Sequence, residues 1–147
     1  MKRGTMVALM IAWVVWANGG AVWAELVDNG DGTVTDSSTG LMWQKASADT
    51  NDDGVPDTMN WQDALAYCEN LIFPQGGYTD WRLPNILELR SIVDYSTYGP
   101  AIDTAIFPDT VSSDYWSSTT DASNTSLAWR VSFYSGYGYG LYKSNDY

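Results

Sequence analysis

The sequence contains no histidine and only one cysteine among its 147 residues. Without an imidazole, catalysis by Ser-His-Asp or Cys-His groups is excluded, and so are metal sites built on histidine. The single thiol, Cys68, cannot form a disulfide within the chain, although small exported domains often carry one. A hydrolase that uses a pair of carboxylates is the enzyme class left open. We expect a protein that is not an enzyme.

Basic residues are also scarce, since seven Lys and Arg stand against 18 Asp and Glu. Two of the seven are Lys2 and Arg3, so the remaining chain carries a net charge of −13. A field of that sign repels nucleic acid, anionic membranes and sulfated polysaccharides, and it attracts cations. The alternative is that the acidity only keeps an exported protein soluble.

A long apolar run occurs once, from Met6 to Trp16, directly after the basic pair. Small residues around Ala24 then offer a signal-peptidase site, which predicts a signal peptide over residues 1–24 and a single domain over 25–147. The run is too short for a membrane span of about 20 residues. A retained N-terminal anchor is the alternative. We expect a secreted, periplasmic or cell-surface protein.

Turn residues and apolar periodicity in 25–147 predict strands, then two short helices, then strands again. The predicted strands lie around 33–35 and 41–43 and at 114–119, 127–134 and 137–142. Asn60 is expected to cap a helix from Trp61 to about Leu71. Asn85, with Glu88 three residues on, forms a capping-box pattern for a second helix that ends near Tyr95. The fold class is therefore α+β, with two short helices packed on antiparallel β-sheet and hairpins.

The Asp-rich stretch 49–57 matches most of a calcium-binding loop, with Gly54 at the position of the invariant glycine. Its candidate ligands are Asp49, Asn51, Asp53, the Val55 carbonyl and Asp57. Position 12 is Asn60 instead of a bidentate Glu, and no helix precedes the loop. We predict weak, structural binding of Ca²⁺, and a solvated Asp/Asn/Gly turn is the alternative.

Four tyrosines near the end of the chain alternate with glycines at 136, 138 and 140. They are Tyr134, Tyr137, Tyr139 and Tyr142. Tyrosines flanked by glycine suit an adaptable contact surface, so we predict that these four bind a ligand. Cross-strand aromatic pairs that stabilise a hairpin are the alternative.

Four segments in order resemble a bacterial domain family found at the C-terminus of the Legionella collagen-like adhesin. They are Asp28-Asn-Gly-Asp-Gly-Thr-Val-Thr-Asp36, Thr39-Gly-Leu-Met-Trp-Gln44, Gly77-Tyr-Thr-Asp-Trp-Arg-Leu-Pro-Asn85 and Tyr115-Trp-Ser-Ser-Thr119. The resemblance implies a C-type-lectin-like fold, export and, in the adhesin, contact with host surface polysaccharide. The Glu-Pro-Asn, Gln-Pro-Asp and Trp-Asn-Asp motifs of calcium-dependent sugar binding are not present, so that activity is not implied.

The resemblance also implies a role for Cys68. Members of the family continue into a terminal strand whose cysteine pairs with the cysteine of the first helix, whereas this sequence stops at Tyr147. Cys68 is thus expected to be half of a family disulfide that lacks its partner, because the last strand is either truncated or dispensed with. An ordinary buried cysteine is the alternative.

Together these features predict an exported module that recognises a glycan or a protein at the cell surface, with a calcium-stabilised loop. A structural envelope protein without a small ligand is the main alternative, and the carboxylate-pair hydrolase ranks third.

Overall fold

The computed structural model describes residues 26–75 and 77–147. The signal peptide predicted at 1–24 lies outside the described residues. Within them the chain forms two short helices and two antiparallel three-stranded sheets. This confirms the predicted α+β class and the order of strands, helices and strands. Neither described helix is long and apolar enough to cross a membrane.

The first sheet has the strand order β1-β2-β3. Its strands are β1 (Leu26–Asp28), β2 (Thr33–Asp36) and β3 (Met42–Gln44). Gly30 and Gly32 turn the chain between β1 and β2 with φ of 79° and 88°, values that glycine adopts without strain. The Asp31 carboxylate accepts hydrogen bonds from the Thr33 amide and hydroxyl. The aspartates here therefore build a hairpin.

The second sheet is a meander of sequential neighbours, in the order β4-β5-β6. Its strands are β4 (Asp114–Thr120), β5 (Leu127–Ser132) and β6 (Gly138–Tyr142). Strand β5 is shorter than predicted and ends at Ser132 instead of Tyr134. The reason is that the Ser132 carbonyl accepts bonds from the amides of Ser135 and Gly136, which closes the turn into β6.

Both helices begin at the predicted caps. Helix α1 (Trp61–Asn70) is capped by Asn60, and α2 (Ile86–Ser91) starts with the full capping box of Asn85 and Glu88. The predicted extension of α2 to Tyr95 is wrong. Beyond the helix the Asp94 carboxylate accepts from the Ser96 amide at 2.8 Å, and the Asp94 amide bonds the distant Ala101 carbonyl. This turn competes with further helix.

The core consists of two clusters on opposite faces of the second sheet. On one face Val131 and Phe133 pack with Leu89 and Ile92 of α2 and with Val34 of the first sheet. On the other face lie Trp116, Ala128 and Ala64 of α1. Because alternate residues of a strand point to opposite faces, β5 contributes to both clusters.

A buried arginine, Arg130, lies on the sheet face that carries Trp116 and Ala128. Arg130 forms an ion pair with Asp114 and is 5% exposed. Its guanidinium lies 4.1 Å from the ring centre of Tyr139 and 4.4 Å from that of Tyr147. Tyr147 is itself held by two backbone hydrogen bonds with Met59. Burial lowers the pKa of Arg130, but an arginine starts so high that it keeps its charge.

Candidate functional site

Exposed tyrosines gather around the turn between β5 and β6. Tyr134 and Tyr137 flank Gly136 in this turn and are 50% and 72% exposed. The Tyr98 ring lies beside that of Tyr134, with 4.4 Å between ring centres. Tyr95 lies against the same turn and is 60% exposed. We call Tyr95, Tyr98, Tyr134 and Tyr137 the tyrosine cluster.

Gly136 allows the side chains of Val93 and Tyr95 to pack closely against the β5–β6 turn. Its φ of +78° is a conformation that L side chains rarely adopt, and a Cβ there would lie 2.8 Å from Val93 Cγ1 and 3.2 Å from the Tyr95 ring. A second tie comes from Gly99, whose amide donates to the Tyr134 carbonyl at 3.0 Å. The loop that carries Tyr95 and Tyr98 is thus fixed to the turn by a backbone hydrogen bond and by side-chain packing against Gly136.

Arg90 supplies the positive charge next to the cluster. Its Nε and Nη2 each lie 3.4 Å from the Tyr95 hydroxyl. The other basic residues of the described chain are held by carboxylates or an aromatic ring, in the pairs Lys45–Asp28, Arg82–Glu88, Arg130–Asp114 and Lys143–Trp61. Arg90 alone among the described basic residues has neither kind of partner. The cluster therefore combines exposed rings with an accessible guanidinium.

The other two tyrosines predicted as ligand-binding lie elsewhere. The Tyr139 ring covers Arg130, and its hydroxyl donates to Asp114 at 3.2 Å. Tyr142 lies at the far end of β6 opposite Leu127. The structure thus brings together two of the four predicted tyrosines.

Tyr95 and Tyr98 complete the cluster and were missed by the sequence reasoning. Their signal was the stretch Tyr-Ser-Thr-Tyr-Gly-Pro at 95–100, where two aromatic residues stand in a polar, turn-rich segment without apolar periodicity. Such residues are poor candidates for a core and good ones for a surface.

The Asp-rich loop is ordered by its own amides. Asp49 accepts from the amides of Asp53 and Gly54, and Asp53 accepts from that of Val55. Asp57 accepts from the Thr50 amide and hydroxyl at 2.6 Å, and the hydroxyl is the main cause that lowers the pKa of Asp57. Asn51 accepts from the Asp53 amide. Within the described residues no three acidic or cysteine side chains converge as a metal site.

A large cavity lies between the first sheet, α1 and the start of β4. Its volume is about 630 Å³, and its wall includes Trp43, Trp81, Trp116, Tyr67, Tyr115 and Phe107. The cavity is partly open to solvent, and exposed residues such as Thr58 and Asp80 lie at its rim.

Cys68 also lines this cavity. Burial raises the pKa of its thiol to about 11, with a smaller contribution from the negative charge of Glu69. The thiol is therefore protonated at neutral pH and is a weak nucleophile. It forms no disulfide in the structure.

Comparison with known proteins identifies the domain. A family model for the Lcl C-terminal domain matches residues 32–147. This range contains both helices and strands β2 to β6. No curated protein and no solved structure matches the chain. The chain belongs to the Lcl C-terminal domain family, a family of adhesin-associated domains.

Proposed function

We propose that this protein is an exported, non-enzymatic binding module whose tyrosine cluster contacts a glycan or a protein at a cell surface. One observation carries the proposal, namely that four exposed tyrosines and Arg90 lie around the β5–β6 turn. Tyrosine offers a large, rigid contact area with little loss of side-chain entropy, and its hydroxyl supplies a hydrogen bond.

The charge of the protein limits the classes of ligand that it can bind. The net charge of −13 on residues 25–147 disfavours sulfated polysaccharides and other polyanions. Arg90 adds a local donor for hydroxyl, carbonyl or single carboxylate groups. A glycan of low negative charge, or a protein surface with similar groups, fits these properties.

The exposure of the cluster favours a binding module over a structural envelope protein. A purely structural role predicts that the rings pack inside the domain, where most large apolar side chains lie. Tyr98 and Tyr137 instead expose 65% and 72% of their surface. Several such rings on one patch are typical of an interaction site.

The proposal includes two finer features. We propose that the fold is C-type-lectin-like, which the helices packed on an antiparallel sheet support. We also propose that loop 49–57 holds a structural Ca²⁺. Its support is the spacing of Asp49, Asn51 and Asp53, with Gly54 in the left-handed region at φ +79°.

Binding to an array of neutral, carboxylated and sulfated polysaccharides and to intact host cells tests the main proposal. Tyr137→Ala and Tyr98→Ala should each weaken binding at least fivefold, because each removes an exposed ring of the cluster. Tyr142→Ala is the matched control, since this tyrosine is 57% exposed but lies at the other end of β6. Equal losses in all three variants, or preferred binding to sulfated chains, would contradict the proposal.

A further inference from the structure

We propose a second binding site in this protein, a partly open pocket for a compact aromatic or aliphatic molecule that carries no negative charge. The pocket is the cavity of about 630 Å³ between the first sheet, α1 and β4. None of the four tyrosines of the cluster lines it. The two sites are therefore separate, and this inference does not depend on the proposed function.

The size and the wall of the cavity fit a small organic ligand. Pockets for such ligands usually have volumes of about 300–1,000 Å³ and walls of mainly apolar and aromatic side chains. Here three indoles, of Trp43, Trp81 and Trp116, contribute to the wall together with Phe107 and Leu71. Water would find few hydrogen-bond partners on such a surface, so an apolar ligand would displace it favourably.

Two hydroxyl groups of the wall already have partners, whereas the buried Trp43 indole Nε1 has none among the described residues. The Tyr67 hydroxyl is bonded to the side-chain amide of Gln44 at 3.1 Å. The Tyr115 hydroxyl is bonded to Ser47 at 2.9 Å.

The cations of the wall are paired as well. The Arg82 guanidinium is held by both carboxylate oxygens of Glu88, at 2.7 and 2.6 Å, and Lys45 is held by Asp28. No cation that lines the cavity is left to neutralise an anionic ligand, and burial of an unpaired charge is strongly unfavourable. An anionic ligand is therefore disfavoured, whereas the Asp57 and Asp80 carboxylates of the wall do not exclude a cation.

A matched pair of fluorescent probes tests this inference. N-phenyl-1-naphthylamine is uncharged, and 1-anilinonaphthalene-8-sulfonate has the same aromatic skeleton with one added sulfonate. The full-length sequence is expressed, and the protein is purified as the cell processes it. We expect the neutral probe to bind with a micromolar Kd and the sulfonate at least tenfold more weakly. Equal affinity for both probes, or no binding of the neutral one, would overturn the proposal.

Two tryptophan substitutions in α1, one at Cys68 and one at Glu69, locate the probe. Cys68→Trp places an indole in the cavity and should weaken binding of the neutral probe at least tenfold. Glu69→Trp adds the same side chain to the exposed side of α1 and should leave the Kd unchanged. Near-ultraviolet circular dichroism and the melting temperature show whether both variants fold.

Alkylation covers the case in which Cys68→Trp does not fold. N-ethylmaleimide can react with only one thiol in this protein. The neutral probe should slow the reaction of N-ethylmaleimide with Cys68. The Cys68→Ala variant should still bind the probe, and treatment with N-ethylmaleimide should not change that binding. An unchanged Kd in folded Cys68→Trp, or a labelling rate that the probe does not alter, would show that the probe binds elsewhere and would refute the site.

Discussion

At the scale of single residues, Glu88 joins a helix cap to an ion pair. Its carboxylate accepts from the Asn85 amide at 2.8 Å and holds Arg82 through two short bonds. Glu88→Gln keeps an acceptor for the cap but removes the charge. We expect a loss of about 1 kcal/mol in the free energy of unfolding at pH 7, a modest value because the Arg82 side chain is about one-third exposed.

The same pair predicts a pH dependence. The bonds from Arg82 are the main cause that lowers the pKa of Glu88, with burial acting against them. A lowered carboxyl pKa adds stability that is complete above the unfolded value of about 4.3 and is lost as the pH falls through the folded value. In urea unfolding, the advantage of the wild type over Glu88→Gln should disappear on acidification from pH 5 to pH 2. A constant difference over that range would show that the charge of Glu88 contributes nothing.

Gly136 is the residue on which the tyrosine cluster depends most directly. Gly136→Ala combines an unfavourable φ of +78° with a clash against Val93 and Tyr95. Gly30→Ala isolates the first effect, because Gly30 has nearly the same φ of +79° and no atom within 4 Å of the added Cβ. We expect a loss of about 1 kcal/mol for Gly30→Ala and a further 1–3 kcal/mol for Gly136→Ala in urea unfolding. Equal losses would mean that the turn can yield to the added methyl group.

At the scale of elements, the Asp-rich loop is open to a direct test. With a Kd of about 10⁻⁴ to 10⁻³ M, calcium at ten times the Kd should stabilise the fold by about 1.4 kcal/mol. The melting temperature should then rise by a few degrees, magnesium should not reproduce the rise, and EDTA should reverse it. Asp53→Ala should abolish the shift and the exposed Asp109→Ala should retain it. No shift at 10 mM CaCl₂ would leave the loop as a turn held by its own amides.

The elements also show which local signals can be read from a sequence. Both helix caps were predicted correctly, because Asn60 and Asn85 act on amides two or three residues away. The end of α2 was not predicted correctly, since the Asp94–Ser96 turn beyond it is completed by a hydrogen bond from the Asp94 amide to the distant Ala101 carbonyl. The β1–β2 hairpin was predictable for the same reason as the caps, namely that Gly30 and Gly32 fix its turn locally.

At the scale of the whole molecule, the candidate sites were only partly predictable. Tyr134 and Tyr137 could be recognised from the glycines beside them. Their neighbours Tyr95 and Tyr98 could not, because that loop is brought to the turn by the Gly99–Tyr134 hydrogen bond and by van der Waals contact at Gly136. The cavity left no sequence signal, since its walls come from elements far apart in the chain and their aromatic residues are typical of a core.

The position of strand β5 determines how the domain unfolds. It is the central strand of the second sheet, and its side chains enter the clusters on both faces. Loss of β5 would expose both clusters at once, so neither α1 nor α2 retains a complete partner surface without it. Unfolding of the two sides is therefore coupled through one strand, and the domain should melt in a single cooperative transition.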